Sequence, residues 1–135
     1  MKDYIHSLIL YLAQSFNVDS DRIIIRENIE NLEIGIDKAI PCGLIINELV
    51  ANSMKYAFPD TRSGEIKVSL KPLKNKNVEL VVSDNGVGLP KDLDIRKTDS
   101  LGLHLVTILV EDQLNGSFQI NNKVGATFNI TFGIS

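Results

Sequence analysis

Glu48, Asn52 and Lys55 stand four and then three residues apart, so a helix across them presents acid, amide and amine on one face. That row can do phosphate chemistry. The amide oxygen of Asn52 is a hard neutral ligand suited to Mg²⁺, which keeps several waters and binds through few protein oxygens plus substrate phosphates. Glu48 can act as general base toward a nucleophile or hold a metal-bound water. Lys55 can neutralise phosphate charge. Leu44 extends the same face, while Ile45, Leu49 and Met54 point to the core.

Asp84-Asn85-Gly86-Val87-Gly88 follows the apolar run 78–83 directly. A strand that delivers an acid into a glycine-rich turn sets a fixed carboxylate beside backbone that a flat ligand can approach. Asp84 can accept a hydrogen bond from the exocyclic amine of a base; adenine has that donor, whereas guanine has a carbonyl there. A mismatch would leave buried polar groups unpaired, so the discrimination can be large. Asp-Asn-Gly is also ordinary turn chemistry, and the motif gains its meaning from its company.

Ser100-Leu101-Gly102-Leu103 opens an apolar helix after a polar stretch. Amides at a helix start plus a glycine make an anion site, which assigns phosphates to this end. No G-x-x-x-x-G-K-[ST] run and no Rossmann fingerprint occurs. Gly125-Ala126-Thr127-Phe128 begins the last strand, and Thr127 is of a type to bond the base or Asp84. Taken together these segments describe a nucleotide site.

The elements that must position them follow from periodicity. Residues 2–16 carry Tyr4, Ile5, Leu8, Ile9, Leu12 and Phe16 at helical spacing. Residues 22–29 are β-branched and predict a strand, and 32–36 alternates as a partner for it. A second helix is expected to begin near 37–41, with Pro41 in its first turn, and to stop at Pro59. Strands over 65–70 and 78–83 form a hairpin, 89–101 is a loop, 101–114 a third helix, and 117–120 and 126–132 the closing strands. Hairpins interspersed with helices predict an α+β fold, a two-layer sandwich of a mixed β-sheet with helices on one face.

Bulk properties narrow the class. The 135 residues with 44% hydrophobic content suffice for one domain with a real core. A net charge of -3 argues against a nucleic-acid partner, and Lys71, Lys74 and Lys76 read as a solvated turn. Cys42 stands alone, so it offers neither an intrachain disulfide nor a cysteine-cluster zinc site. No apolar stretch approaches the ~20 residues of a membrane span, and no signal peptide is evident, which predicts a cytoplasmic chain without direct membrane contact.

The ordered boxes N-E-L-V-A-N-S-M-K-Y-A-F, D-N-G-V-G-L-P, S-L-G-L and G-A-T-F closely resemble the ATP-binding catalytic domain of sensor histidine kinases. That Bergerat-type fold is shared with DNA gyrase B, the ninety-kilodalton heat-shock chaperone and MutL, the GHKL superfamily. The likeness runs from about residue 21 to 132. Wording such as I-P-C-G-L-I-I-N-E-L-V looks most like the kinase subgroup with a variant phosphoacceptor motif.

The resemblance implies ATP and Mg²⁺ as cofactors. It implies Asn52 as metal ligand, Glu48 as catalytic acid–base group, and Lys55 and Tyr56 at phosphate and ribose. Asp84 would read adenine, Gly86 and Gly88 shape that wall, Gly102 and Leu103 close the lid, and Thr127 serve from the final strand. The chemistry implied is transfer of the γ-phosphoryl group to a histidine on a dimerisation domain of the same full-length protein, with a response regulator downstream. An ATPase, an anti-sigma-type serine kinase or a non-catalytic nucleotide-sensing module of the superfamily are the alternatives. Residues 1–16 resemble the end of a preceding dimerisation segment, with 17–135 the catalytic domain. Departures are visible too. The lid carries no phenylalanine, the second glycine box has one glycine, and neither His6 nor His104 has the usual acceptor context.

Overall fold

Strict alternation in three strands decides the architecture. Ile66, Val68 and Leu70, then Val78, Leu80 and Val82, then Phe128, Ile130 and Phe132 are buried. The residues between them (among them Lys67, Ser69, Glu79, Asn129 and Thr131) belong to the other face of the sheet. Each fully buried aliphatic side chain stabilises by roughly 1.5–3 kcal/mol, and a slip of one residue would expose a whole row, so the register is firmly set. The computed structural model describes residues 2–15, 22–58, 63–88, 103–122 and 124–134.

The elements run α1 (Lys2–Ser15), β1 (Ile23–Ile29), α2 (Ile36–Asn52), a π-helical turn (Ser53–Ala57), β2 (Gly64–Pro72), and β3 (Asn77–Asp84). Then come α3 (Leu103–Ile108), a second π-helical turn (Leu109–Gln113), β4 (Ser117–Asn121) and β5 (Thr127–Gly133). The five strands form one sheet in the order β1-β2-β3-β5-β4. β1 pairs parallel with β2, and the other pairings are antiparallel. The fold is thus α+β, a mixed sheet with its helices on one face.

The helices cover the apolar face. From α2 come Ile45, Ile46, Leu49 and Val50; from α3 and its extension Leu103, Val106, Val110 and Leu114. α1 packs on α2 and β1 through Ile5, Ile9 and Leu12, and His6 Nδ1 meets Glu27 Oε1 at 2.5 Å. Among the described residues no helix is long and apolar enough to cross a membrane.

Two expectations are corrected. Residues 32–36 do not pair with β1; residues 30–35 are irregular and α2 begins at Ile36. A parallel partner needs a crossover, and α2 supplies it between β1 and β2. Leu32 and Ile34 alternate in burial because they pack against the core, which mimics a strand's pattern. Pro41 lies inside α2 rather than in its first turn. Lacking an N–H, it leaves the Asp37 carbonyl without the usual intrahelical donor.

Candidate functional site

β3 ends by carrying its inward parity one residue past the core, so Asp84 points where Val82 and Leu80 point and is only 8% exposed. A carboxylate so placed needs donors, and the chain supplies three. Oδ1 accepts the Gly86 amide at 2.9 Å and the Ala126 amide at 3.3 Å. Oδ2 accepts the Ser53 hydroxyl at 2.8 Å. Among the described residues no buried side-chain N or O is left without a partner.

Backbone contacts fix the turn around this acid. The Asp84 amide donates to Ala126 O at 2.9 Å, and the Val87 amide to Ala57 O at 2.9 Å. Asn85 Oδ1 accepts the Glu65 amide at 2.8 Å, which ties the turn to β2. Gly125 has φ +70°, and a Cβ there would collide with the Asp84 carbonyl. The glycine is what lets the last strand begin so close to the acid.

α2 and the π-helical turn after it supply the opposite wall. Leu49, Asn52, Ser53 and Tyr56 recur at three- and four-residue intervals and face an open hollow of about 390 Å³. The sheet side of the hollow is Asp84, Ala126 and Phe128, and Gly88 and Leu103 complete its lining. Leu49, Ala57, Leu103, Ala126 and Phe128 make it a mainly apolar slot with one buried carboxylate in its wall. A flat heteroaromatic ring with an N–H donor suits such a slot.

Asn52, Tyr56, Asp84, Gly88 and Leu103 therefore come together. Glu48 is half-buried one turn before Asn52 and is not part of the wall, and Lys55 is exposed beyond it. Gly86 is buried behind Asp84 and contributes its amide. Thr127 is not brought to the slot. It has the parity opposite to Phe128 and lines a neighbouring polar hollow with Lys67 and Ser83, which Asp84 also borders. Gly102, like the rest of 89–102, lies outside the described residues.

Ser53, Ala57, Ala126 and Phe128 escaped the sequence reading. A signal existed for Phe128 and Ala126: Phe128, Ile130 and Phe132 share the apolar parity of β5, and Ala126 shares it too. For Ser53 the helical period from Leu49 was the available clue.

Residues 37–135 match the family of histidine kinase-, DNA gyrase B- and HSP90-like ATPases. The chain belongs to this family. It is 38% identical over 82 residues to the sensor histidine kinase PdtaS of Mycobacterium tuberculosis, covering 60% of this chain and 16% of the relative. It is 26% identical over 124 residues to blue-light-activated histidine kinase 2 of Erythrobacter litoralis, covering 90% of this chain and 33% of that one. The chain thus spans a third or less of these curated relatives.

Among solved structures, the blue-light-activated histidine kinase of Erythrobacter litoralis EL346 superposes with a TM-score of 0.89. Identity is 22%, over 98% of this chain and 41% of that one. The mycobacterial sensor histidine kinase MprB gives 0.76 at 18% identity, over 98% of this chain and 94% of that one. At such identities the likeness is one of fold.

This ATPase family suggests a metal ion carried with the nucleotide. Among the described residues no group of three His, Cys, Asp or Glu could hold a metal ion by itself. Asn52 offers an amide oxygen at the slot. One neutral oxygen fits Mg²⁺ arriving with phosphates, since that ion takes few protein ligands and keeps its waters.

Proposed function

We propose that this domain binds Mg·ATP in the slot between α2 and the β3–β5 end of the sheet and donates the γ-phosphoryl group to a histidine on a dimerisation domain. The observation that carries the reading is Asp84, a buried carboxylate held by three donors in the wall of an apolar slot that Asn52 also lines. Asp84 accepts the adenine amine there, and Phe128 and Leu103 pack against the ring. Asn52 would hold Mg²⁺, whose chemistry is to neutralise phosphate charge. Glu48, one turn before Asn52, orients or deprotonates the incoming imidazole, and Lys55 and Tyr56 serve the phosphate and ribose end. Gly102 is proposed to meet the phosphates from its place just before Leu103 in the chain.

Such a transfer is chiefly positioning and charge stabilisation, so a rigid adenine slot is most of what the domain must supply. The acceptor helix belongs to the same full-length protein in this reading, and a response regulator receives the phosphoryl group next. Calorimetry with Mg·ATP on the native chain and on Asp84→Asn tests the site: the variant is expected to lose most affinity, because an amide nitrogen replaces an acceptor. Native-like binding by Asp84→Asn would overturn the adenine assignment. Radiolabelled transfer to a cognate histidine-bearing helix, against release of phosphate to water, separates kinase from hydrolase.

A further inference from the structure

The three hydrogen bonds on Asp84 are unequal in kind. Two come from main-chain amides, Gly86 and Ala126, and both fall on Oδ1. The third comes from the side chain of Ser53 and falls on Oδ2. A carboxylate has about four acceptor sites, two on each oxygen. Oδ1 is therefore filled by backbone, while Oδ2 has one site taken by Ser53 and one remaining.

The location of Ser53 makes this more than a packing contact. It is the first residue of the π-helical turn after α2, and its amide donates to Leu49 O and Val50 O, so its Cβ is fixed. A serine inside a helix commonly turns its hydroxyl onto a carbonyl of the preceding turn. Here the hydroxyl reaches across to another element, 31 residues away in sequence, and is 8% exposed at residue level like its partner. Both residues line the slot.

We propose that Ser53 is a specificity-determining positioning residue: by occupying one site of Asp84 Oδ2 it leaves a single directed acceptor, which selects a purine with an amine at C6 over one with a carbonyl there. The proposal rests on the Mg·ATP reading above. A serine hydroxyl carried on a Cβ that its helix holds stays tethered within reach of Oδ2. A water in its place can turn, donate to a base carbonyl as readily as to the carboxylate, and so tolerate the wrong purine. Removing the hydroxyl should relax selectivity as well as weaken binding.

The test is calorimetric titration of Mg·ATP and Mg·GTP into the native chain, Ser53→Ala and Ser53→Thr, with thermal unfolding of each protein alone. The expected result is preference for ATP in the native chain. Ser53→Ala should bind ATP about tenfold more weakly with GTP changed by less than about twofold, so the ratio narrows. Ser53→Thr, which keeps a hydroxyl, should restore the ratio. If Ser53→Ala weakens both nucleotides equally, or leaves the ratio at the native value while the native chain prefers ATP, the positioning role is overturned and the ATP site stands. If the native chain binds neither nucleotide, both readings fall. Should Ser53→Ala not fold, Ser53→Cys, with its weak S–H donor, carries the same comparison.

Discussion

The Val87 amide donates to the Ala57 carbonyl at 2.9 Å, so the glycine turn after β3 hangs from the last residue of the π-helical turn after α2. Gly86 sits in that junction with Ala57 against it; a Cβ on residue 86 would strike the Ala57 carbonyl and come within 2.5 Å of the Ala57 Cβ. Backbone cannot swing aside as a side-chain tip can. Gly86→Ala should therefore cost about 1–3 kcal/mol by overpacking and pull the Gly86 amide off Asp84. Chemical denaturation should show the loss of stability, and calorimetry a loss of ATP affinity larger than stability alone explains. A stable variant with native binding would show that the junction yields.

Much of this was legible in the chain, and the parts that were not have physical causes. Strands β2, β3 and β5 announce themselves because one face is apolar and the other polar. The row 48, 52, 55 was expected to be the working face of α2, whereas the slot is lined by 49, 52, 53 and 56. Asn52 belongs to both rows. The polar residues of a helix mark its wet side, but a slot for a flat ring is built where apolar and polar sides meet. The parallel pairing of β1 was hidden for another reason: alternation reports burial of one face and says nothing of which strand lies alongside.

Thr127 and Phe128 provide a direct check on strand parity. Thr127 opposes Ser83 on the face away from the helices, and Phe128 opposes Val82 on the face of the slot. Thr127→Val, nearly equal in shape, should leave ATP affinity within about twofold of native. Phe128→Leu removes a ring from the wall and should weaken binding several-fold with a stability loss of about 1 kcal/mol. Calorimetry on the two variants reads both outcomes; a large loss with Thr127→Val would mean that the hydroxyl reaches the base after all.

Cys42 is fully buried in α2, and burial pushes its thiol from the ordinary 9.0 up to about 12, with the Lys38 charge pulling slightly the other way. The folded chain holds that proton where the unfolded chain releases it. Stability from this group is thus complete below about 9.0 and declines as pH rises toward about 12. The slope is at most roughly 1.4 kcal/mol per pH unit. Denaturation at pH 8 and pH 10 should show the decline, and Cys42→Ala should flatten it. Thiol labelling of the native protein at neutral pH should proceed only as fast as the chain opens.

Lys38 makes a second, separable contribution. Its Nζ donates to Leu114 O at 2.8 Å, joining the first turns of α2 to the end of the segment that follows α3. That carbonyl lies past the last π-helical residue, where intrahelical donors have run out, and a cation there also suits the helix dipole. Lys38→Met keeps most of the stem and removes the donor, and should cost about 1 kcal/mol, seen as a fall of roughly 4 °C in Tm. The same change removes the charge that favours the Cys42 thiolate, so the alkaline decline should still begin near 9.0 but continue to higher pH. A variant that loses stability with no extension of that decline would separate the two effects and leave the carbonyl bond as the sole role of Lys38.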